Sequence, residues 1–207
     1  CICENCHMAA KQQEERLGYS PEIGLDGWPI DALHPAITGK TIRPRDGLGP
    51  MSHPTWFRPL FVPMTIVCGP PASGKTTYIE AHAGPDDLVF DLDAIAVQMF
   101  GIPVRMLDGK RRMDALRERN DRLGKLMWAN AKGIAPHAWL IVAEPIADRR
   151  QWWCDKLKPE CIIVLTTPLD VCLERAARDS KQRPNFKQSI NDWWRDYTPR
   201  QGDIVVT

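Results

Sequence analysis

The chain has 207 residues, of which 43% are hydrophobic and 26% are charged, and its formal net charge is +1. These values are ordinary for a globular protein, and they give no global field that would favour or exclude nucleic acid as a partner. The longest strongly apolar stretches, "WLIVA" and "CIIVL", have five residues each, whereas a membrane-spanning helix needs about 20, so the sequence predicts no membrane span.

The chain begins with a cysteine cluster, "CICENCHMAAKQQEER", in which Cys3-x-x-Cys6-His7 follows Cys1. Structural zinc needs four well-placed ligands, so we expect these four residues not to bind zinc by themselves. The segment resembles the tail of HNH nuclease domains, in which C-x-x-C-H closes a zinc-bound unit, and "GYSPEIGLDGWPIDALHP" resembles sequence that follows such domains in phage proteins. The resemblance of residues 1–37 implies that the other zinc ligands, and an HNH nuclease domain, lie upstream in a longer polypeptide.

The four other cysteines lie in apolar segments, where free cysteine behaves as a small hydrophobe; they are Cys68, Cys154, Cys161 and Cys172. The even spacing of a secreted disulfide framework is absent. The sequence therefore predicts a reducing, cytoplasmic location.

A segment rich in proline and glycine, residues 20–63, separates residues 1–19 from the rest of the chain. Residues 1–19 are either the HNH remnant or a plain N-terminal stub. The segment contains eight prolines: Pro21, Pro29, Pro35, Pro44, Pro50, Pro54, Pro59 and Pro63. This density prevents long helices and central strands, so we predict an irregular linker or arm. Aromatic residues such as Trp28, Trp56 and Phe57 favour an arm that docks on a neighbouring surface.

From residue 64 to residue 207, short apolar runs alternate with helical patterns. The predicted strands cover 64–68, 87–91, 139–143 and 161–167, and the predicted helices cover 75–82, 94–100, 111–132, 148–157, 169–179 and 185–197. The final "DIVVT" is either a fifth strand or the start of a further element. Apolar strands that alternate with helices predict an α/β nucleotide-binding domain with a mostly parallel sheet covered by helices.

The first predicted strand is followed by "GPPASGKT", which matches the phosphate-binding pattern G-x-x-x-x-G-K-[ST]. Its glycines let the backbone approach phosphates, and the helix that follows contributes a partial positive charge. We expect Lys75 to reach the β- and γ-phosphates of ATP and the Thr76 hydroxyl to bind Mg²⁺. The predicted nucleotide contacts are Gly69, Pro70, Pro71, Ala72, Ser73, Gly74, Lys75, Thr76 and Thr77.

Acidic residues follow the second and third predicted strands, at the edge where α/β sheets bind ligands. Asp91 and Asp93 are candidates to orient Mg²⁺ or to accept a proton from an attacking hydroxyl. The alternative is that they only cap the helix predicted to begin at Ala94. Glu144, after the third strand, is either an acid that binds metal-bound water or an ordinary loop acid.

Two arginines lie three residues apart near the end of the helix predicted over 169–179, so they share a face. Arg175 and Arg178 are candidates to fold over a bound triphosphate and stabilise the transferring charge. The alternative is a favourable arrangement of cations at a helix C-terminus.

Residues 64–199 resemble the small P-loop kinases of phage type, especially the 5′-polynucleotide kinase domain. "GPPASGKTTYI" is similar to that family's phosphate loop, "LVFDLDAIA" to its general-base segment, "WLIVAEPIADRRQWW" to its third-strand segment, and "LDVCLERAARD" to its lid. The resemblance implies that Asp93 is the general base and Arg178 the lid arginine, with Arg175 beside it. Family members often have an arginine three residues after the base; here that residue is Ala96.

These patterns leave three functional hypotheses. The leading one is transfer of a phosphoryl group from ATP·Mg²⁺ to a hydroxyl, with the 5′ end of a nucleic acid as the acceptor that the resemblance implies. The second is an ATPase or nucleotide-dependent switch, in which Glu144 would position water. The third is an accessory nucleic-acid-binding module for an upstream HNH nuclease.

Two further patterns have a structural interpretation and a nucleic-acid interpretation. The pairs Trp152-Trp153 and Trp193-Trp194 could stack bases, but we expect them to pack in the core. The basic residues of the helix predicted over 111–132 are interleaved with acids, which favours a solvated face with ion pairs over a nucleic-acid track.

Overall fold

The computed structural model of the chain describes residues 54–127, 135–178 and 185–207. The cysteine cluster and most of the proline-rich arm lie outside these ranges. The predictions for zinc and for an HNH remnant therefore fall on residues that are not described.

The described residues form one parallel five-stranded sheet. The strands are β1 (Met64–Cys68), β2 (Leu88–Phe90), β3 (Ala138–Val142), β4 (Cys161–Leu165) and β5 (Asp203–Val206). Their order across the sheet is β2-β3-β1-β4-β5, and all neighbours are parallel. The final segment is therefore a fifth strand, and the predicted α/β class is confirmed.

Six α-helices and one 3₁₀ turn connect the described strands or flank them. The helices are α1 (Lys75–His82), α2 (Leu92–Phe100), α3 (Gly109–Lys125), α4 (Ala147–Leu157), α5 (Leu169–Arg178) and α6 (Phe186–Asp196), and the 3₁₀ turn is Val104–Met106. No helix in the described ranges is both long enough and apolar enough to cross a bilayer.

The strands β1 and β4 are almost entirely buried because they lie inside the sheet with helices on its faces. Trp153 of α4 and Trp193 of α6 are buried in the main core cluster, while Trp152 and Trp194 pack at its edge. The prediction that these tryptophans pack in the core is confirmed.

The last part of the predicted arm, residues 54–63, packs against the domain without forming a helix or a strand. Phe57 is buried, and its ring centroid lies 6.2 Å from that of Trp152 and 6.0 Å from that of Trp153. Residues Pro54–Thr207 consequently form one compact unit, which begins before the predicted boundary at residue 64.

The exposed face of α3 has the predicted ion pairs. They are Arg117–Asp114 and Arg122–Glu118 within the helix, and Arg111 pairs with Asp108, the N-cap residue that precedes it. Arg119 differs from its basic neighbours, because it is only 5% exposed and its guanidinium lies 5.7 Å from the centroid of the Trp153 ring. Burial lowers the pKa of Arg119 to about 10.

Candidate active site

The candidate site lies at the carboxyl ends of the strands, where ligands bind in open α/β sheets. The segment Gly69–Gly74, here called the phosphate loop, connects β1 to α1. Asp91 follows β2, Glu144 follows β3, and Thr167 follows β4. Since all these strands are parallel, the residues that follow them share one edge of the sheet.

The backbone of the phosphate loop requires glycine at its first position. Gly69 has φ +151°, and a Cβ atom there would lie 2.8 Å from the carbonyl oxygen of Leu165 and 2.8 Å from Oγ of Ser73. Gly74, with φ +94°, is the N-cap residue of α1 and supplies no side-chain cap. The first N–H groups of α1 therefore face the loop without a capping side chain, which is the usual basis of anion binding at a helix N-terminus.

The phosphate loop is tied to β4 and α5 by side chains from outside the motif. The hydroxyl of Thr167 donates to the carbonyl oxygen of Ser73 at 2.9 Å. Nη1 of Arg175 donates to the carbonyl oxygens of Ala72 and Ser73 at 3.3 and 3.2 Å. The side chain of Arg175 thus binds the main chain of the phosphate loop.

Lys75 folds back into the phosphate loop. Its Nζ donates to the carbonyl oxygens of Gly69 and Pro70 at 2.9 and 2.6 Å. Burial lowers the pKa of Lys75 to about 8, while the nearby charges of Asp91 and Asp93 act in the opposite direction. The two acids follow β2, at the same edge of the sheet as the phosphate loop.

The aspartates have different positions at the start of α2. Oδ1 of Asp91 accepts from the backbone N–H of Asp93 at 2.9 Å, so Asp91 is the N-cap residue. The helix begins at Leu92, not at the predicted Ala94. Asp93 therefore does not cap the helix, because it lies inside the first turn, whereas Asp91 does; a role of either residue in catalysis or Mg²⁺ binding stays a prediction. Burial raises the pKa of Asp91.

Glu144 is a buried acid beside the end of β1. It is 7% exposed, and its Oε1 lies 3.7 Å from Nη1 of Arg149. Burial raises the pKa of the Cys68 thiol, and that thiol also senses the charges of Arg150, Glu144 and Lys75. Glu144 follows Val142, which pairs with Cys68 at the end of β1, and Lys75 binds the residues directly after that strand, so both lie near the same end of β1.

The two predicted lid arginines have different environments. Arg175 contacts the phosphate loop, as described above, while Arg178 is bonded to Glu174 on its own helix and its side chain is 77% exposed. Arg178 is the last described residue before a gap. Arg175 and Arg178 therefore contact different groups, although their spacing places them on the same face of the helix.

Thr167, Arg150 and Asp203 lie around the candidate site and have contacts that the sequence patterns did not predict. Thr167 follows a strand, so the rule that identified Asp91 and Glu144 would also have found it. Arg150 and Asp203 form an ion pair at 2.8 Å, and their separation of 53 positions leaves no local signal for that contact.

The described residues include no group of three or more His, Cys, Asp or Glu side chains arranged to hold a metal ion. The oxygen donors at the site, on Thr76, Asp91 and Glu144, are of the type that Mg²⁺ prefers, and Mg²⁺ in nucleotide sites takes its other ligands from phosphates and water. The donor set and the cradle of the phosphate loop thus fit a magnesium–nucleotide complex.

A search of curated proteins gave no match. Among solved structures, the chain is similar to a shikimate kinase from Acinetobacter baumannii in complex with shikimate, with 19% identity, coverage of 65% of this chain and 75% of that chain, and a TM-score of 0.42. It is similar to the tunicamycin resistance protein of Deinococcus radiodurans, with 18% identity, coverage of 70% and 85%, and a TM-score of 0.45. It is also similar to a gluconokinase from Sinorhizobium meliloti 1021, with 16% identity, coverage of 71% and 83%, and a TM-score of 0.44.

The model of one protein family, described as an AAA domain, matches residues 64–197. This range begins with β1 and ends directly after α6, so it includes the phosphate loop, the acids after β2 and β3, and both arginines of α5. The match covers well over half of the 207 residues. On this match, and with a phosphate loop built as described, the chain belongs to the AAA domain family.

Proposed function

We propose that this domain transfers the γ-phosphoryl group of ATP to a hydroxyl acceptor. Lys75 and the N–H groups at the start of α1 bind the phosphates, Asp93 accepts the proton of the attacking hydroxyl, and Arg178 stabilises the transferring group. The observation that supports this best is that Lys75 and Asp93 lie at the same carboxyl edge of the sheet: Lys75 binds carbonyl oxygens of the phosphate loop after β1, and Asp93 lies in the first turn of α2 after β2. Ligands bind at this edge in open α/β sheets, so the proposed phosphate donor and the attacking hydroxyl would meet there.

Magnesium fits the same proposal. Thr76, as the second residue of α1, would bind the ion directly, while Asp91 and Glu144 would hold its water ligands. The ion supplies charge neutralisation between the β- and γ-phosphates when it is bound. Asp91 would hold the water ligand while it also caps α2.

The acceptor that we propose first is the 5′-hydroxyl of a polynucleotide. This choice depends on the resemblance of residues 64–199 to 5′-polynucleotide kinase domains, and on the resemblance of residues 1–37 to the tail of an HNH nuclease. Ala96 occupies the position at which that family often has an arginine. The acceptor panel should therefore include nucleosides as well as DNA and RNA with 5′-hydroxyl ends.

The proposal is tested with γ-labelled ATP, the acceptor panel and the variant Asp93→Asn. We expect transfer to fall by about 10²–10⁴, the usual contribution of a positioned base, while ADP affinity stays within a few-fold. Arg195→Gln is the matched control, because Arg195 is exposed and pairs with Asp192 on α6. Full transfer activity in Asp93→Asn would remove Asp93 from the mechanism, and no transfer to any acceptor by the wild type would remove the kinase assignment.

The second candidate function is ATP hydrolysis without an acceptor. It is favoured by the burial of Glu144 at the end of β3, since a buried acid beside the phosphates is suited to orient water. In that case Glu144→Gln would reduce hydrolysis, and Asp93→Asn would leave it unchanged. A wild type that hydrolyses little ATP without an acceptor, and whose transfer activity is lost in Asp93→Asn, would favour transfer to a hydroxyl instead.

A further inference from the structure

We propose that the C-terminal segment Tyr197–Asp203 belongs to the active site, because it fixes the main chain that presents Glu144. In this role Arg150 and Asp203 are positioning residues that act through Glu144. The inference rests on the proposed function of Glu144 as an acid that holds metal-bound water.

Arg150 is the centre of the arrangement. It is completely buried in α4, and its Nη1 donates to the carbonyl oxygens of Glu144 and Pro145 at 2.9 and 2.6 Å. Its Nη2 donates to the carbonyl oxygen of Thr198. One planar guanidinium thus joins the turn after β3 to the C-terminal segment, and its rigid fork fixes the relative positions of these carbonyl groups.

Asp203 holds the guanidinium in place. Its Oδ2 accepts from Nε of Arg150 at 2.8 Å, and its Oδ1 accepts from Nε of Arg200 at 2.8 Å. The Asp203 side chain is 1% exposed, while that of Arg200 is 14% exposed. A carboxylate buried between two arginines is well paired, so its removal would leave the Arg150 charge buried without its partner.

The main chain adds contacts between the same two segments. The backbone N–H of Ala147, the first residue of α4, donates to Oγ1 of Thr198 at 2.7 Å, and the backbone N–H of Thr198 donates to the carbonyl oxygen of Pro145 at 3.1 Å. Thr198 therefore supplies the side-chain cap for α4, since Ile146 at the N-cap position supplies none.

This arrangement is directly connected to the nucleotide site. Arg150 binds the carbonyl group of Glu144 itself, and the Glu144 side chain is buried beside Arg149. Glu144 lies two residues after Val142, which pairs with Cys68 at the end of β1, the strand that leads into the phosphate loop. Because Arg150 binds the main chain of Glu144, a shift of its guanidinium would move Glu144.

The test separates positioning from stability by measuring nucleotide binding with and without Mg²⁺. ADP affinity in the presence of a chelator depends on the phosphate loop alone. The ratio of ADP affinity with Mg²⁺ to that without it, here called the Mg²⁺ factor, depends on the acids that hold the metal-bound water. For Asp203→Asn we expect ADP affinity in a chelator to stay within about twofold and the Mg²⁺ factor to fall at least threefold. A merely structural role would lower the melting temperature and leave the Mg²⁺ factor of the folded protein unchanged.

A double-mutant cycle with Glu144→Gln shows whether Asp203 acts through Glu144. We expect Asp203→Asn to reduce the Mg²⁺ factor in the wild-type background and to change it less than twofold in the Glu144→Gln background. Equal effects in both backgrounds would overturn the inference. If Asp203→Asn does not fold, Thr198→Val replaces it, because it removes the cap on Ala147 but leaves the buried ion pair in place; it should lower the Mg²⁺ factor in the same direction.

The outcomes also separate this inference from the proposed function. If the wild type transfers no phosphoryl group, but Asp203→Asn lowers the Mg²⁺ factor only when Glu144 is present, the inference stands and the kinase assignment fails. If transfer is found and the Mg²⁺ factor is unchanged in Asp203→Asn and Thr198→Val, the assignment stands and the inference fails. Arg195→Gln should change neither quantity, because its ion pair lies on the exposed face of α6.

Discussion

Replacement of Gly69 by alanine should damage the phosphate loop for two separate physical reasons. The φ angle of +151° lies in a region that residues with a side chain avoid, at a cost of about 1–3 kcal/mol. The new Cβ would also lie 2.8 Å from the carbonyl oxygen of Leu165, which is backbone at the end of β4. Forcing a buried methyl group into such a space costs about 1–3 kcal/mol more.

Gly101→Ala is the matched control for the conformational part of this cost. Gly101 is the C-cap residue of α2 with φ +64°, and a Cβ atom there would have no neighbour within 4 Å in the described structure. Only the left-handed conformation is penalised, by about 1–2 kcal/mol. We therefore expect the free energy of unfolding to fall by about 2–6 kcal/mol in Gly69→Ala. In Gly101→Ala it should fall by only about 1–2 kcal/mol.

Urea unfolding of both variants measures the free energy of unfolding, provided that the slopes agree with the wild type. Calorimetric titration with ADP measures the effect on the site, where we expect Gly69→Ala to weaken binding at least tenfold and Gly101→Ala to leave it unchanged. If Gly69→Ala costs no more than Gly101→Ala and binds ADP normally, the close approach of Gly69 to Leu165 is not what requires glycine there.

Three further results are expected. The pKa of Lys75 in the nucleotide-free protein is about 8, and bound phosphates favour its charged form. ADP affinity should therefore be constant between pH 7 and 8 and fall above pH 8 by up to about tenfold per pH unit. Calorimetry between pH 7 and 9.5 that showed no fall would contradict this. Arg175→Gln should weaken ADP binding several-fold because it releases the carbonyl oxygens of the loop, whereas Arg178→Gln should leave the dissociation constant unchanged and lower only turnover. Phe57→Ala should cost about 3–5 kcal/mol of stability in urea unfolding, and Phe61→Ala, at a half-exposed position, should cost clearly less; equal costs would show that Phe57 does not anchor residues 54–63.

Local patterns of the sequence determined the fold class and the place of the phosphate loop. Strands such as β1 and β4 are continuous apolar runs because both faces of a parallel sheet are covered. The glycines of the phosphate loop and the lysine that follows it belong to a motif of eight consecutive residues, so their arrangement is encoded by neighbours along the chain. Both features could be read without knowing any distant contact.

Helix boundaries and the roles of the aspartates were less well determined. The start of α2 was predicted two residues late, because which carboxylate reaches a free backbone N–H depends on the geometry of the turn after β2. Asp91 and Asp93 have the same chemistry and nearly the same position in the sequence. Only the folded backbone makes Asp91 the cap and places Asp93 inside the first turn.

Contacts between distant parts of the chain were decided by the tertiary structure alone. Arg119 belongs by sequence to a charged, solvated helix, yet it is buried against Trp153 because its position on α3 faces α4. Arg150 and Asp203 belong to a helix and a strand whose local patterns give no reason for a buried ion pair. The sequence by itself determined which segments form strands, helices and the phosphate loop, since those properties depend on neighbouring residues; the packing of the elements decided which charges are buried and paired, since burial depends on what lies across the fold.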